Sequence, residues 1–150
     1  SDDRLPEVRT PIAFGKAEVL REGRHVALVA VGSMVGPAWE ACEQLAARGI
    51  DATVINARFV KPPDAETIVA AARRSRFVVT IEENVQSGGF GQAVRDVLHV
   101  AGLGEIPHRL LALPDAFVEH GSQPLIRRDG GLDADGIVAA VMSQVGAHLG

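Results

Sequence analysis

The chain has 150 residues, enough for one domain with a real core. Hydrophobic residues make up 47%, which excludes a largely disordered chain, and the scarcity of aromatics (five Phe, one Trp, no Tyr) leaves the core to Val, Ile, Leu and Ala, as in parallel-sheet proteins. A net charge of −4 excludes a general nucleic-acid binder, which needs a basic footprint.

Residues 1–11 carry charges and two prolines and read as a linker or N-terminal arm, with the domain expected over 12–150. Ala17–Leu20 reads as a short strand, followed by a turn at Glu22-Gly23. Val26–Val31 is apolar without alternation, the pattern of a central strand covered on both faces. Gly32-Ser33 opens a loop, Pro37 suits the first turn of a helix, and Ala38, Ala41, Cys42 and Leu45 recur at helical spacing until Gly49. Thr53–Ile55 is the next strand, after which Asp64 can cap a helix that buries Ile68, Ala71 and Ala72. Arg73, Arg74 and Arg76, the densest basic cluster, fall where that helix ends and cations suit its dipole. Phe77–Ile81 is a third buried strand, and Phe90, Ala93, Val94, Val97 and Leu98 line one face of a helix closed by Gly102. Leu110–Leu113 reads as a fourth such strand. The last helix presents Ile137, Val138, Val141, Met142 and Val145, with Asp133 as cap and Leu132 as a staple onto Ile137.

Strand and helix thus alternate four times. The expected fold is α/β, a three-layer sandwich whose mostly parallel sheet of about five strands has helices on both faces and one antiparallel edge strand. Cys42, the single cysteine, allows no internal disulfide, sits on the apolar stripe and has no base beside it, so a buried structural thiol is expected and a reducing, cytoplasmic setting suits it. No apolar run approaches the roughly 20 residues of a membrane span, and the polar, acidic N-terminus predicts no secretory leader. A first residue of Ser rather than Met suggests a piece of a longer chain.

In such a fold ligands and partners meet the loops at the carboxyl ends of the strands, here those beginning at Gly32, Asn56, Glu82 and Pro114. Glu82 and Glu83 are adjacent carboxylates, but neighbours on an extended segment face opposite ways, so hydrogen bonding at an interface suits them better than joint acid–base work. Ser87–Gly91 lies between a strand and a helix, where phosphate loops sit, yet it lacks the Lys and Ser/Thr of a P-loop and has Val94 where a dinucleotide fingerprint needs glycine. Close backbone approach is the better reading of Gly88 and Gly89. The five histidines form no metal-type pair. Only His120, in a long loop with Asp115 and Ser122, sits suggestively, and no strained nucleophile turn accompanies it to make a hydrolase. A phospho-receiver domain would need clustered acids after its first buried strand, where Gly32-Ser33-Met34 stands.

In order along the chain come Val54–Pro62 (V-I-N-A-R-F-V-K-P), Thr80–Asn84 (T-I-E-E-N), Gly88–Gly91 (G-G-F-G), Leu113-Pro114-Asp115 with Phe117 and His120-Gly121, and Gly131-Leu132-Asp133. Taken together the sequence resembles the C-terminal, transketolase-type domain of 1-deoxy-D-xylulose-5-phosphate synthases over about Pro11 to Leu149. Pro63 departs from the family's usual Leu, a change tolerated just before a helix. The resemblance implies a parent enzyme that condenses pyruvate with glyceraldehyde 3-phosphate on thiamine diphosphate and magnesium, with loss of carbon dioxide. It further implies a product feeding isoprenoid, thiamine and pyridoxal synthesis, and a homodimer whose cofactor lies between two other domains of the same polypeptide. The Gly-Asp-Gly metal motif of those domains is missing: the nearest string is Arg128-Asp129-Gly130, and the only Asn residues, Asn56 and Asn84, lie upstream of it. No catalytic, cofactor-binding or metal residue is therefore expected in this chain, and no cofactor is expected to bind it alone. The expected role is packing against the cofactor-binding domains through Arg58, Phe59, Lys61, Glu82, Glu83, Asn84, Gly88, Gly89, Asp115 and His120, with no nucleic-acid or membrane partner. The reading from a different class is a free-standing interaction or small-ligand module of the same fold.

Overall fold

The computed structural model describes residues 15–58, 63–83, 89–112 and 133–148. The proposed 1–11 arm, the Leu132 staple, and Phe59, Lys61, Asn84, Gly88, Asp115 and His120 lie outside them. Among the described residues five strands and four α-helices follow one another: β1 (Glu18–Arg21), β2 (Val26–Ala30), α1 (Val35–Ala46), β3 (Ala52–Asn56), α2 (Ala65–Arg74), β4 (Phe77–Ile81), α3 (Phe90–Val100), β5 (His108–Leu111) and α4 (Ala134–His148). A short 3-10 turn, Gly32–Met34, leads into α1.

The strands make one sheet in the order β1-β3-β2-β4-β5. β2 pairs in parallel with both β3 and β4, β4 with β5, and only β1 runs antiparallel, on the edge beside β3. This is the expected mostly parallel sheet with one antiparallel edge.

The apolar runs of β2 and β4 are buried on both sides because helices cover both faces. Val26, Leu28 and Ala30 of β2, with Phe77, Val79 and Ile81 of β4, face a cluster that includes Ala38, Cys42 and Leu45 of α1 and Ile137 and Val141 of α4. Ala27 and Val29 of β2 and Val78 of β4 face the opposite way, onto Ile68 and Ala71 of α2 and Phe90, Val94 and Leu98 of α3. The period of two along each strand thus distributes one run of residues between two cores.

Helix ends follow their chemistry. The Asp64 carboxylate accepts from the Thr67 N–H at 3.2 Å and starts α2, and the Asp133 carboxylate accepts from the Gly136 N–H at 2.8 Å and starts α4. Arg73 and Arg74 lie in the last turn of α2, where Arg74 donates to the Ala70 carbonyl. The turn between β1 and β2 needs glycine for space: a Cβ on Gly23 would lie 2.6–2.7 Å from the Ala52 backbone. That approach is fixed by Thr53, whose hydroxyl accepts from the Gly23 N–H and donates to the Gly23 carbonyl.

Cys42 is 1% exposed, and its thiol points at the Ala52 carbonyl, 3.8 Å away. Burial pushes the thiol pKa up, against a smaller opposing pull from Arg21, so the thiolate a nucleophile requires is disfavoured. Cys42→Ala is therefore expected to cost about 1 kcal/mol of stability through lost packing, read as a lower midpoint in a thermal melt. An unchanged midpoint would refute the packing role.

Candidate functional site

The parallel registers Ala30↔Asn56, Ala30↔Ile81 and Ile81↔Leu111 bring the carboxyl ends of β2 to β5 into one row. The segments that leave this row, at Val31, Ala57, Glu82 and Ala112, share one end of the sheet. Of the expected contact residues, Arg58 follows β3, Glu82 and Glu83 follow β4, and Gly89 precedes α3. The positions of Arg58 and Glu82 are two strands apart, roughly 10 Å at ordinary strand spacing.

Glu82 is 1% exposed. One carboxylate oxygen accepts from the Phe90 N–H at 2.8 Å and the other from the Gly91 N–H at 2.6 Å. These are the first two donors of α3, which have no intrahelical partner. Glu82 thus caps a helix eight residues downstream, and its backbone N–H donates to the Leu111 carbonyl at 3.0 Å, extending the β4–β5 ladder. The expectation of an interface hydrogen bond for Glu82 is corrected: burial places its side chain inside the domain. Glu83, the next residue, is only partly buried. The same contacts bear on the phosphate question, since the N–H groups a phosphate would use are already bonded to Glu82.

Gly89 adopts no glycine-only backbone conformation. Its φ of −87° and ψ of −173° are open to any residue. A close approach is present at Gly91, where a Cβ would sit 2.6 Å from Leu110 Cδ2 and 3.1 Å from Thr80 Oγ1.

Arg58 has φ +64°, the only described residue other than glycine in the left-handed region. Such a conformation costs a β-carbon residue roughly 1 kcal/mol or more. Two contacts hold it. The Asn56 side-chain oxygen accepts from the Arg58 N–H at 3.1 Å, and the guanidinium donates to Glu18 Oε1 at 2.6 Å. Both charged side chains are about a quarter exposed, Arg58 at 22% and Glu18 at 27%.

Asp64 has a second role that capping does not require. Its Oδ2 accepts from the Ala17 N–H at 2.9 Å and from the Thr67 hydroxyl at 2.6 Å. Burial alone would push this carboxyl up. Hydrogen bonds from the Thr67 hydroxyl, the Ala17 N–H and the Thr67 N–H, with the nearby Lys16 charge, outweigh it and hold the pKa below the ordinary carboxylate value.

At the amino end of the sheet, Leu98, Leu103, Ile106 and the polar residues Arg95, His99 and His108 border a cleft of about 330 Å³. His108 Nε2 lies 2.9 Å from Thr80 Oγ1, and Nδ1 is buried without a hydrogen-bond partner among the described residues. Burial, and then the charge of Arg95, push this imidazole down to about 4. Neither Glu18 nor His108 stood out in the sequence. Their partners are 40 and 28 residues away, and only the strand registers bring each pair together.

The described residues do not fit a magnesium–diphosphate group. Among them no three His, Cys, Asp or Glu side chains gather to hold a metal ion. The acidic Glu82 is committed to α3. No described helix is long and apolar enough to cross a membrane.

Parallel strands feeding helices on both faces, with one antiparallel edge strand, define an α/β domain with a doubly covered sheet. The chain belongs to the transketolase C-terminal domain family, which matches residues 15–137. Over 133 residues it is 48% identical to a 1-deoxy-D-xylulose-5-phosphate synthase of Desulforudis audaxviator, covering 89% of this chain and 21% of that protein. Over 129 residues it is 52% identical to 1-deoxy-D-xylulose-5-phosphate synthase 1 of Geobacter sulfurreducens, covering 86% of this chain and 20% of that protein. The chain thus spans about a fifth of the length of these relatives. A solved split-gene transketolase, described as an inactive β4 tetramer, superposes with a TM-score of 0.79 at 38% identity, covering 93% of this chain and 45% of that one. The transketolase of Campylobacter jejuni shares the fold at a TM-score of 0.62 and 19% identity, over 93% of this chain and 20% of that one.

Proposed function

We propose that this chain is the C-terminal domain of a 1-deoxy-D-xylulose-5-phosphate synthase and serves the thiamine-diphosphate- and magnesium-dependent condensation of pyruvate with glyceraldehyde 3-phosphate without supplying a catalytic residue. The observation that carries this reading is identity of about one half to named synthases along nearly the whole chain, while the chain makes up only about a fifth of each. The site chemistry agrees. The buried acid at the carboxyl end of the sheet is bonded within the domain. The work left to that end of the sheet is contact: packing on the cofactor-binding domains of the same polypeptide and supporting a homodimer in the cytoplasm.

Positioning contacts of this kind can matter by orders of magnitude to a rate. Deleting the domain from the synthase polypeptide is expected to abolish or severely reduce turnover. Adding this chain back separately is expected to restore part of it, while the chain alone turns over nothing. Full turnover and an intact dimer after deletion would refute the reading and favour a free-standing module.

A further inference from the structure

Three consecutive residues at the start of the described chain are each fastened to the connection between β3 and α2 or to the first turn of α2. Lys16 Nζ meets Glu66 at 3.2 Å, the Ala17 N–H donates to Asp64 at 2.9 Å, and Glu18 accepts from Arg58 at 2.6 Å. The first pair is exposed and contributes little on its own. The other two are partly buried and lie on either side of the four residues 59–62. Glu18 also stands opposite Asn56 in the β1–β3 register, and Asn56 supports the left-handed backbone of Arg58. A strained residue persists only where its surroundings over-determine it, and such residues concentrate at functional positions. Here the Arg58 guanidinium is paired with Glu18 on the entering strand.

We propose that Glu18, Arg58 and Asp64 form a clasp that fixes the direction in which the chain enters this domain relative to the loop row at the carboxyl end of the sheet, making Arg58 a positioning residue. The inference rests on the reading above, in which the entering segment continues from the cofactor-binding domains. Under it, every contact that rigidly joins residues 16–18 to the β3–α2 connection also sets how the loop row meets those domains. Arg58 acts through Glu18 and touches no substrate.

The test is a charge swap with two readouts. In the synthase polypeptide, R58E and E18R are each expected to lower kcat about tenfold while the KM for pyruvate changes less than about twofold. The double variant E18R/R58E is expected to recover most of the loss. In this 150-residue chain, the Ala17 amide is expected to exchange with solvent about tenfold faster in each single variant and to return toward the original rate in the double. Arg58→Lys keeps the charge and is expected to lie between the original and R58E. Unchanged Ala17 exchange in both singles would overturn the clasp, as would a double variant no better than the singles. A kcat loss that merely tracks a fall in the melting temperature of the isolated chain would also overturn it, because a packing defect would then explain everything. If the unaltered synthase polypeptide shows no condensation of pyruvate with glyceraldehyde 3-phosphate, the functional reading fails. The exchange readout then decides the clasp by itself.

Discussion

Replacing Glu82 with Ala is expected to lower the unfolding free energy of the chain by about 4 kcal/mol and its melting temperature by roughly 10 °C. The argument starts from the end of α3. Gly89 provides no side chain to cap the helix, so the N–H groups of Phe90 and Gly91 depend on Glu82. All three groups are buried, so water cannot replace the carboxylate without opening the structure. Each buried donor left without a partner costs about 1–3 kcal/mol, and bonds to a carboxylate lie in the upper part of that range. The negative charge also faces the positive end of the α3 dipole, and that contribution is lost as well. Glu82→Gln separates these effects. It keeps one acceptor oxygen, turns an amide NH2 toward the second N–H, and is expected to cost about half as much. Urea unfolding of the 150-residue chain followed by circular dichroism measures both variants. If Ala proves too unstable to purify, the Gln variant alone decides. A loss below about 1 kcal/mol for either variant would show that the Glu82 contact is dispensable.

The layer structure was legible because four features repeat in the chain: apolar runs, glycine stops, helical stripes and acidic caps. Asp64 and Asp133 cap the helices at which their spacing placed them. The first, short strand is antiparallel and on the edge, as expected. The fourth parallel strand, expected over Leu110–Leu113, begins two residues earlier, at His108, while Leu113 lies outside the described residues. Apolar composition marks the centre of a strand well, but β5 is an edge strand. Its half-open environment accepts His108 and Arg109, so hydropathy does not mark where it begins. The partner of Glu82 was not legible in the sequence. Capping by a residue eight positions before the helix has no local spacing rule, unlike the Asp64 and Asp133 caps. Arg58 was singled out by its motif, but its left-handed backbone was hidden because arginine carries no preference for that region. Only Asn56 two residues earlier, a residue type that bonds its own backbone two positions on, hinted at it.

Between pH 7 and pH 4 the chain is expected to lose about 3 kcal/mol of stability through His108 alone. In the folded chain its imidazole titrates at about 4, below the ordinary 6.5, because burial and then the nearby Arg95 disfavour the cation. The unfolded chain therefore binds the extra proton first as pH falls. Stability from this group is complete above 6.5, declines through the interval and is lost at about 4, where the folded form also protonates. The local geometry gives the same sign independently. With Nε2 donating to Thr80 Oγ1, neutral His108 leaves only a bare lone pair at Nδ1, whereas protonation would bury an N–H with no acceptor among the described residues. The Asp64 carboxylate titrates elsewhere. Its folded pKa is held below the ordinary 3.8, so its contribution is present above that value and disappears only at still lower pH. The two groups thus act in separate windows. His108→Gln keeps a side-chain donor that can reach Thr80 and removes the titration. The stability difference between the original chain and this variant, measured by urea unfolding at pH 7, 5.5 and 4.5, is expected to shift progressively in favour of the variant as pH falls. A difference that stays constant across those three pH values would refute the assignment of this slope to His108.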